Sequence, residues 1–166
     1  MQIIKLAIIS FVGLFALVTA ISLLFPSTVI VSRAIDINAS ADSINTRINN
    51  FDEWKLWVEG MKDTSVIVYS SAKAKLGKTM VVIDSVTTTK ISSTWVATNG
   101  RVMQAFIQII PSTNQNIQTV HWQFQQHLHW YPWEKFASMM NDKILGTMME
   151  KNLQHLKKLV EQNQPL

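Results

Sequence analysis

Between Asp63 and His129 apolar and polar residues alternate almost without pause, and this stretch limits the possible folds more than any other feature. Five runs carry the pattern: Thr64–Ser70, Lys78–Val86, Lys90–Thr98, Arg101–Ile110 and Asn116–Leu128. A repeat of two is the signature of half-buried strands. The breaks hold turn chemistry, at Leu76-Gly77-Lys78, Thr87-Thr88-Thr89, Asn99-Gly100 and Pro111-Ser112-Thr113-Asn114. Asn-Gly between two alternating runs is a strong hairpin signal, because both residues tolerate positive φ. Parallel neighbours would need crossovers of a dozen or more residues, so connections this short predict an antiparallel meander.

The flanks complete the layout. Ser27–Asn38 places Val29, Val31, Ile35 and Ile37 on one face of a further strand, with Arg33 as the exception on that face. Ser40 is a suitable N-cap for a short helix over Ala41–Ile48. The segment Asn49–Trp57 (NNFDEWKLW) then begins a second short helical piece that ends near Gly60. Pro132 fits the first turn of a closing helix running from about Trp133 to Gln162. Its apolar residues form two sets: Phe136, Met139, Met140 and Ile144, then Met149, Leu153, Leu156 and Val160. At about 100° per residue the sets are displaced by roughly half a turn. Gly146 lies between them, at a natural place for a bend or a change of packing partner. A sheet with one long helix across its concave face is an α+β arrangement.

Ahead of all this, Leu6 to Phe25 is a run of twenty residues without a charge. As a helix it would span about 30 Å, the thickness of a bilayer core. A cleaved signal peptide is the rival reading, since Lys5 precedes the run and Val18-Thr19-Ala20 offers small residues for cleavage. Signal h-regions usually stop at about 7–15 residues, and this one continues to Pro26, which favours an uncleaved anchor. Residues 1–26 therefore form the anchor and 27–166 a single domain. Lys5 and the amino terminus on the near flank place the domain outside the cytoplasm by the positive-inside tendency.

The net charge of +4 falls to +3 without Lys5, too mild for the concentrated basic face that nucleic-acid binding requires. With no cysteine, disulfides and thiolate metal sites are excluded.

Four segments in this order resemble a known family. They are the anchor ending in LFPS, the first strand VIVSRAIDINAS, the aromatic NNFDEWKLW, and the closing MNDKILGTMMEKNLQHLKKLVE with its central glycine. The chain resembles the START-like (SRPBCC) superfamily, in particular its membrane-anchored bacterial branch described as polyketide cyclase or lipid-transport proteins. The resemblance implies a helix-grip fold enclosing a cavity for an apolar ligand, and it implies no single reaction. One departure stands out. Relatives carry an extra strand where only Ser71–Leu76 remains here, so about six strands are expected, with the cavity opened or reduced on that side.

The expected ligand-facing set is Trp54, Trp57, Trp95, Phe106, Trp122, Phe124, Phe136, Met139, Met140 and Ile144. Trp54 and Trp57 are expected to seal one end of the cavity, with Phe51 packed beneath them. Methionines near Gly146 suit a surface that adapts to varied apolar ligands, although core filling predicts the same residues. Parity puts Val120, Trp122, Phe124, Leu128 and Trp130 inside, with His121, His127 and His129 on the wet face. His127 and His129 would stand about 7 Å apart along a strand, near enough to share a metal, but no adjacent acid supplies a third ligand. Polar histidines on a wet face are the simpler reading. Asp84 and Asp36 are candidate bases if turned into the cavity, and otherwise partners of turn or surface groups. Arg33 suits an acidic ligand head, or an ion pair with a helix carboxylate. Lys73, Lys75 and Lys78 form a solvated turn or touch anionic lipid heads. No nucleophile-elbow, zinc-protease or phosphate-loop motif occurs, and no cofactor is implied.

These readings favour a non-enzymatic, membrane-tethered carrier of a lipid-like or polyketide-like molecule. A cyclase-type enzyme, and a protein-interaction module with a vestigial cavity, are the alternatives.

Overall fold

A computed structural model describes residues 2–112 and 116–162, without the side chains of Met139 and Asn141. Thr113 and Asn114 of the expected fourth turn therefore lie outside the described residues. The order is α1 (Gln2–Leu23), β1 (Thr28–Asn38), α2 (Ala41–Ile48), α3 (Phe51–Trp57), β2 (Val66–Ser70), β3 (Lys73–Leu76), β4 (Thr79–Val86), β5 (Lys90–Ala97), β6 (Val102–Pro111), β7 (Ile117–His127) and α4 (Pro132–Gln162). The seven strands form one sheet in the order β1-β7-β6-β5-β4-β3-β2, antiparallel throughout.

Local chemistry explains most boundaries. Gly77 and Gly100 take positive φ, 59° and 79°, in the β3–β4 and β5–β6 turns, where a side chain would be strained. The Ser40 and Asn50 side chains accept from the backbone N–H groups of Ser43 and Glu53 and cap α2 and α3. The last carbonyls of α2 have no partners within their own helix. Two indoles supply donors there: Trp54 Nε1 donates to Ile48 O at 2.7 Å and Trp57 Nε1 to Arg47 O at 2.8 Å. The evenly spaced tryptophans of α3 thus lock the corner through which the chain passes from the β1 edge of the sheet to the β2 edge.

The strand count corrects the expectation of six. Lys73–Leu76 pairs with both neighbours, Val66 opposite Leu76 and Lys73 opposite Val82. Only Ala74 is fully buried in this short strand, and its lysines stay wet or half-wet. So small an inward residue between two lysines gives almost no hydrophobic signal.

α4 continues as an α-helix through Gly146. A Cβ built on Gly146 would overlap the Arg33 guanidinium, so the glycine admits that side chain between strand and helix. Arg33 reaches across to Glu150 at 2.6 Å and Asp142 at 3.3 Å, which raises its pKa further, chiefly through the Glu150 hydrogen bond. The helix-carboxylate reading of Arg33 is the one realised. α4 contributes Met149, Leu153, Leu156 and Val160 to the core, against Val31, Ile37, Trp122 and the α2–α3 corner.

α1 is long and apolar enough to cross a bilayer, a property shared by anchors and signal sequences. Its sides are almost entirely uncovered by the rest of the chain.

Candidate ligand-binding site

The concave face of the sheet is filled by a closed circuit of aromatic rings. Trp54 lies 5.8 Å from Trp57, Trp57 5.7 Å from Trp122, and Trp122 5.6 Å from Phe124. Phe124 lies 5.1 Å from Trp95, and Trp95 stacks back on Trp54 at 6.4 Å. Phe51 packs edge-on against Trp54 at 4.9 Å. These separations lie in the favourable range for aromatic pairs. Five of the ten expected ligand-facing residues are thereby brought together. Trp54, Trp57, Trp122 and Phe124 are buried by protein, and Trp95 is partly buried. The Trp122 Nε1 donor is buried without a partner among the described residues.

Beside the circuit runs a seam between the sheet and the first half of α4. Val29 and Val31 of β1, Met103 of β6, Phe124 and Gln126 of β7, and Leu145 of α4 line it, with a cavity volume of about 10 Å³. That is near the smallest space able to hold one water. In this conformation the grip is closed.

The other expected residues fall elsewhere. Phe106 is on the opposite face of β6 from the buried Ala105, Ile107 and Ile109, with Lys90 Nζ 4.7 Å above its ring. Its flanking Gln104 and Gln108 had marked that parity as the wet side. Phe136, Met140 and Ile144 point to solvent, because the core set from Met149 onward already fixes the inward face of α4. The Met139 side chain lies outside the described residues. Sequence reasoning left Met103, Gln126 and Leu145 out of the site, although the parity of Met103 with Ala105 and Ile107 was available as a signal.

No candidate base enters the seam. Asp36 accepts from Thr119 Oγ1 at 2.6 Å and Asp84 from Thr94 Oγ1 at 2.7 Å, both on the exposed side of the sheet. The histidines separate, because β7 ends at His127. His127 Nδ1 meets Thr28 Oγ1 at 3.0 Å, while His129 turns to Glu134. Among the described residues no three potential metal ligands converge.

A larger cavity of about 530 Å³ lies at this end, lined by Asn99, Arg101, Gln104, His127, His129 and Glu134 among others. Glu134 Oε2 accepts from the His129 backbone N–H at 2.9 Å and lies 3.1 Å from its ring Nδ1. The backbone hydrogen bond, then the ring and the charge of Arg101, hold the Glu134 carboxyl below its usual range, against the opposing effect of burial. A depressed carboxylate stabilises the fold above its unfolded pKa, and this contribution disappears as pH falls through the folded value. Glu134→Gln is therefore expected to lower Tm by a few degrees at neutral pH. That deficit should shrink below about pH 4.3, the ordinary carboxylate value. A deficit in thermal melts that stays constant down to pH 3 would refute the assignment.

The fold is that of a helix-grip domain of the α+β class, with an apolar N-terminal helix added. No family model and no curated protein matches the chain. Solved structures do share its fold. Norcoclaurine synthase from Thalictrum flavum, in complex with dopamine and hydroxybenzaldehyde, matches with a TM-score of 0.63 at 13% identity, over 84% of this chain and 90% of that one. A START superfamily protein from Mycobacterium smegmatis matches with a TM-score of 0.60 at 15% identity, over 81% and 99%. A protein from Nitrosospira multiformis gives 0.62 at 15%, over 78% and 94%.

Proposed function

We propose that the chain is a membrane-tethered binding domain for an apolar, lipid-like small molecule, which enters the seam beneath the first half of α4. One observation carries this reading. The seam is walled by Val29, Val31, Met103, Phe124 and Leu145, and Leu145 is the one α4 residue among them; nearer the start of α4 the buried side chains are the polar Lys135, tied to the Phe25 carbonyl, and Ser138. The second half of α4 is fastened by Met149, Leu153, Leu156 and Val160. The first half is thus the part able to lift, with Arg33 and Gly146 near the division. α1 acts as an uncleaved anchor that keeps the domain near its ligand source, outside the cytoplasm. The carboxylates Asp36 and Asp84 face away from the seam, which favours binding over cyclase chemistry.

The aromatic circuit favours a second reading, a protein-interaction module with a filled cavity. Native mass spectrometry of the full chain released from mild detergent separates the two. Binding predicts a co-purifying lipid, and Leu145→Trp, which fills the seam, should abolish it. A chain that emerges empty and leaves fluorescent fatty acids unbound would overturn the binding reading and leave the module.

A further inference from the structure

The first half of α4 is amphipathic in the reverse sense. At about 100° per residue Trp133, Phe136, Ala137, Met140 and Ile144 share one stripe roughly 100° wide. It is open to solvent: Trp133 is 58% exposed, Phe136 44%, Met140 66% and Ile144 63%. The opposite face carries Lys135 and Ser138, both buried. A surface helix of a globular protein normally shows the opposite arrangement. The apolar surface extends into the preceding loop, where Trp130 is 52% exposed and lies 4.9 Å from Tyr131, which stacks on Trp133 at 4.9 Å.

The position of this surface indicates its partner. The chain leaves the apolar helix α1 at Leu23, and two residues later the Phe25 ring packs against Phe136 at 6.0 Å. Lys135 Nζ donates to the Phe25 carbonyl at 2.7 Å. The exposed stripe is thus fixed to the point at which the span ends and is continuous with it. Tryptophan and tyrosine gather at the headgroup level of bilayers, where an apolar body and a polar tip are both accommodated. Phe136, Met140 and Ile144 suit the adjoining boundary with the acyl chains, the arrangement of an interfacial helix.

We infer that the Trp130–Ile144 surface rests in the headgroup–acyl boundary of the bilayer that α1 spans. The domain then lies against the membrane with the liftable half of α4 in contact with lipid. This rests on the reading of α1 as an anchor, and it places the mouth of the seam where an apolar molecule passes from bilayer to protein without crossing water.

The chain has no cysteine, so single labelling sites are unambiguous. Met140→Cys, Ile144→Cys and, as a control, Val86→Cys all replace exposed side chains and should leave the fold intact. Each full-length variant is given a nitroxide label and reconstituted into phosphatidylcholine vesicles. Labels at 140 and 144 are expected to be reached by oxygen and shielded several-fold from an aqueous nickel complex, while the label at 86 stays open to it. Equal nickel access at all three sites, in chains that float with the vesicles after alkaline washing, overturns the surface assignment and leaves the anchor standing. Shielding that appears only at high protein-to-lipid ratio, with spin–spin broadening, assigns the stripe to a second copy and also overturns it. Chains that wash off the vesicles refute the anchor itself, and with it this inference.

Discussion

Trp54→Ala is expected to destabilise the domain by about 3–5 kcal/mol, the range for deleting a large buried aromatic. A native domain has only about 5–15 kcal/mol in total, so much of the margin would be lost. Three effects combine at this residue. Its ring touches Phe51, Trp57 and Trp95, so truncation opens the aromatic circuit and leaves a void that its neighbours cannot close without shifting. Its indole donor satisfies the Ile48 carbonyl at the end of α2, so the α2–α3 corner loses a tie. The side chain is almost completely buried, so its whole apolar surface counts. Trp54→Phe separates these contributions. It keeps most of the ring and removes the donor, and about 1–3 kcal/mol is expected for leaving that carbonyl unpaired. Thermal melting of the full chain in detergent, followed by far-UV circular dichroism, reads both. A Trp54→Ala loss below that of Trp54→Phe would contradict the picture of the circuit as the centre of the core.

Asn152→Ala should cost about 1–3 kcal/mol, although it removes no apolar surface. Asn152 is fully buried, and its Oδ1 accepts from the Glu59 backbone N–H at 2.9 Å, joining the loop after α3 to α4. Its amide nitrogen lies 2.9 Å from Met148 Sδ. Alanine leaves the Glu59 N–H without its acceptor at a part-buried point of the loop. The adjacent Lys151–Glu59 ion pair, 2.7 Å long, provides the contrast. Both partners are half-exposed, and surface pairs contribute little, so Lys151→Ala should have the smaller effect. Denaturant unfolding of the two variants checks the order, and a larger loss for Lys151→Ala would refute it.

The meander was legible because it rests on local signals. Alternation marked β4 to β7, Asn99-Gly100 marked the β5–β6 hairpin, and Ser40 marked the start of α2. β3 was not legible, since the four residues Lys-Ala-Lys-Leu are too short a run to announce a strand whose only buried member is Ala74. The aromatic members of the site could be chosen by parity where the strand was long, as with Trp122 and Phe124. The same rule misled at Leu128 and Trp130, because β7 had ended at His127. Phe106 shares its parity with Gln104 and Gln108, which is the wet side of β6.

Sequence alone determined the antiparallel sheet, the closing helix, the apolar N-terminal span and the half-turn offset between the two apolar sets of α4. It did not determine which set faces inward. Both are equally apolar, and helical periodicity fixes their relative angle without choosing the one that meets the sheet. Only the tertiary structure decided that. Arg33, on the edge strand, passes over Gly146 to Glu150 and Asp142, and Met149, Leu153, Leu156 and Val160 meet the floor of the grip. Once those contacts set the rotation of a continuous helix, Phe136, Met140 and Ile144 had to point outward, because a rigid helix cannot turn both faces to one sheet.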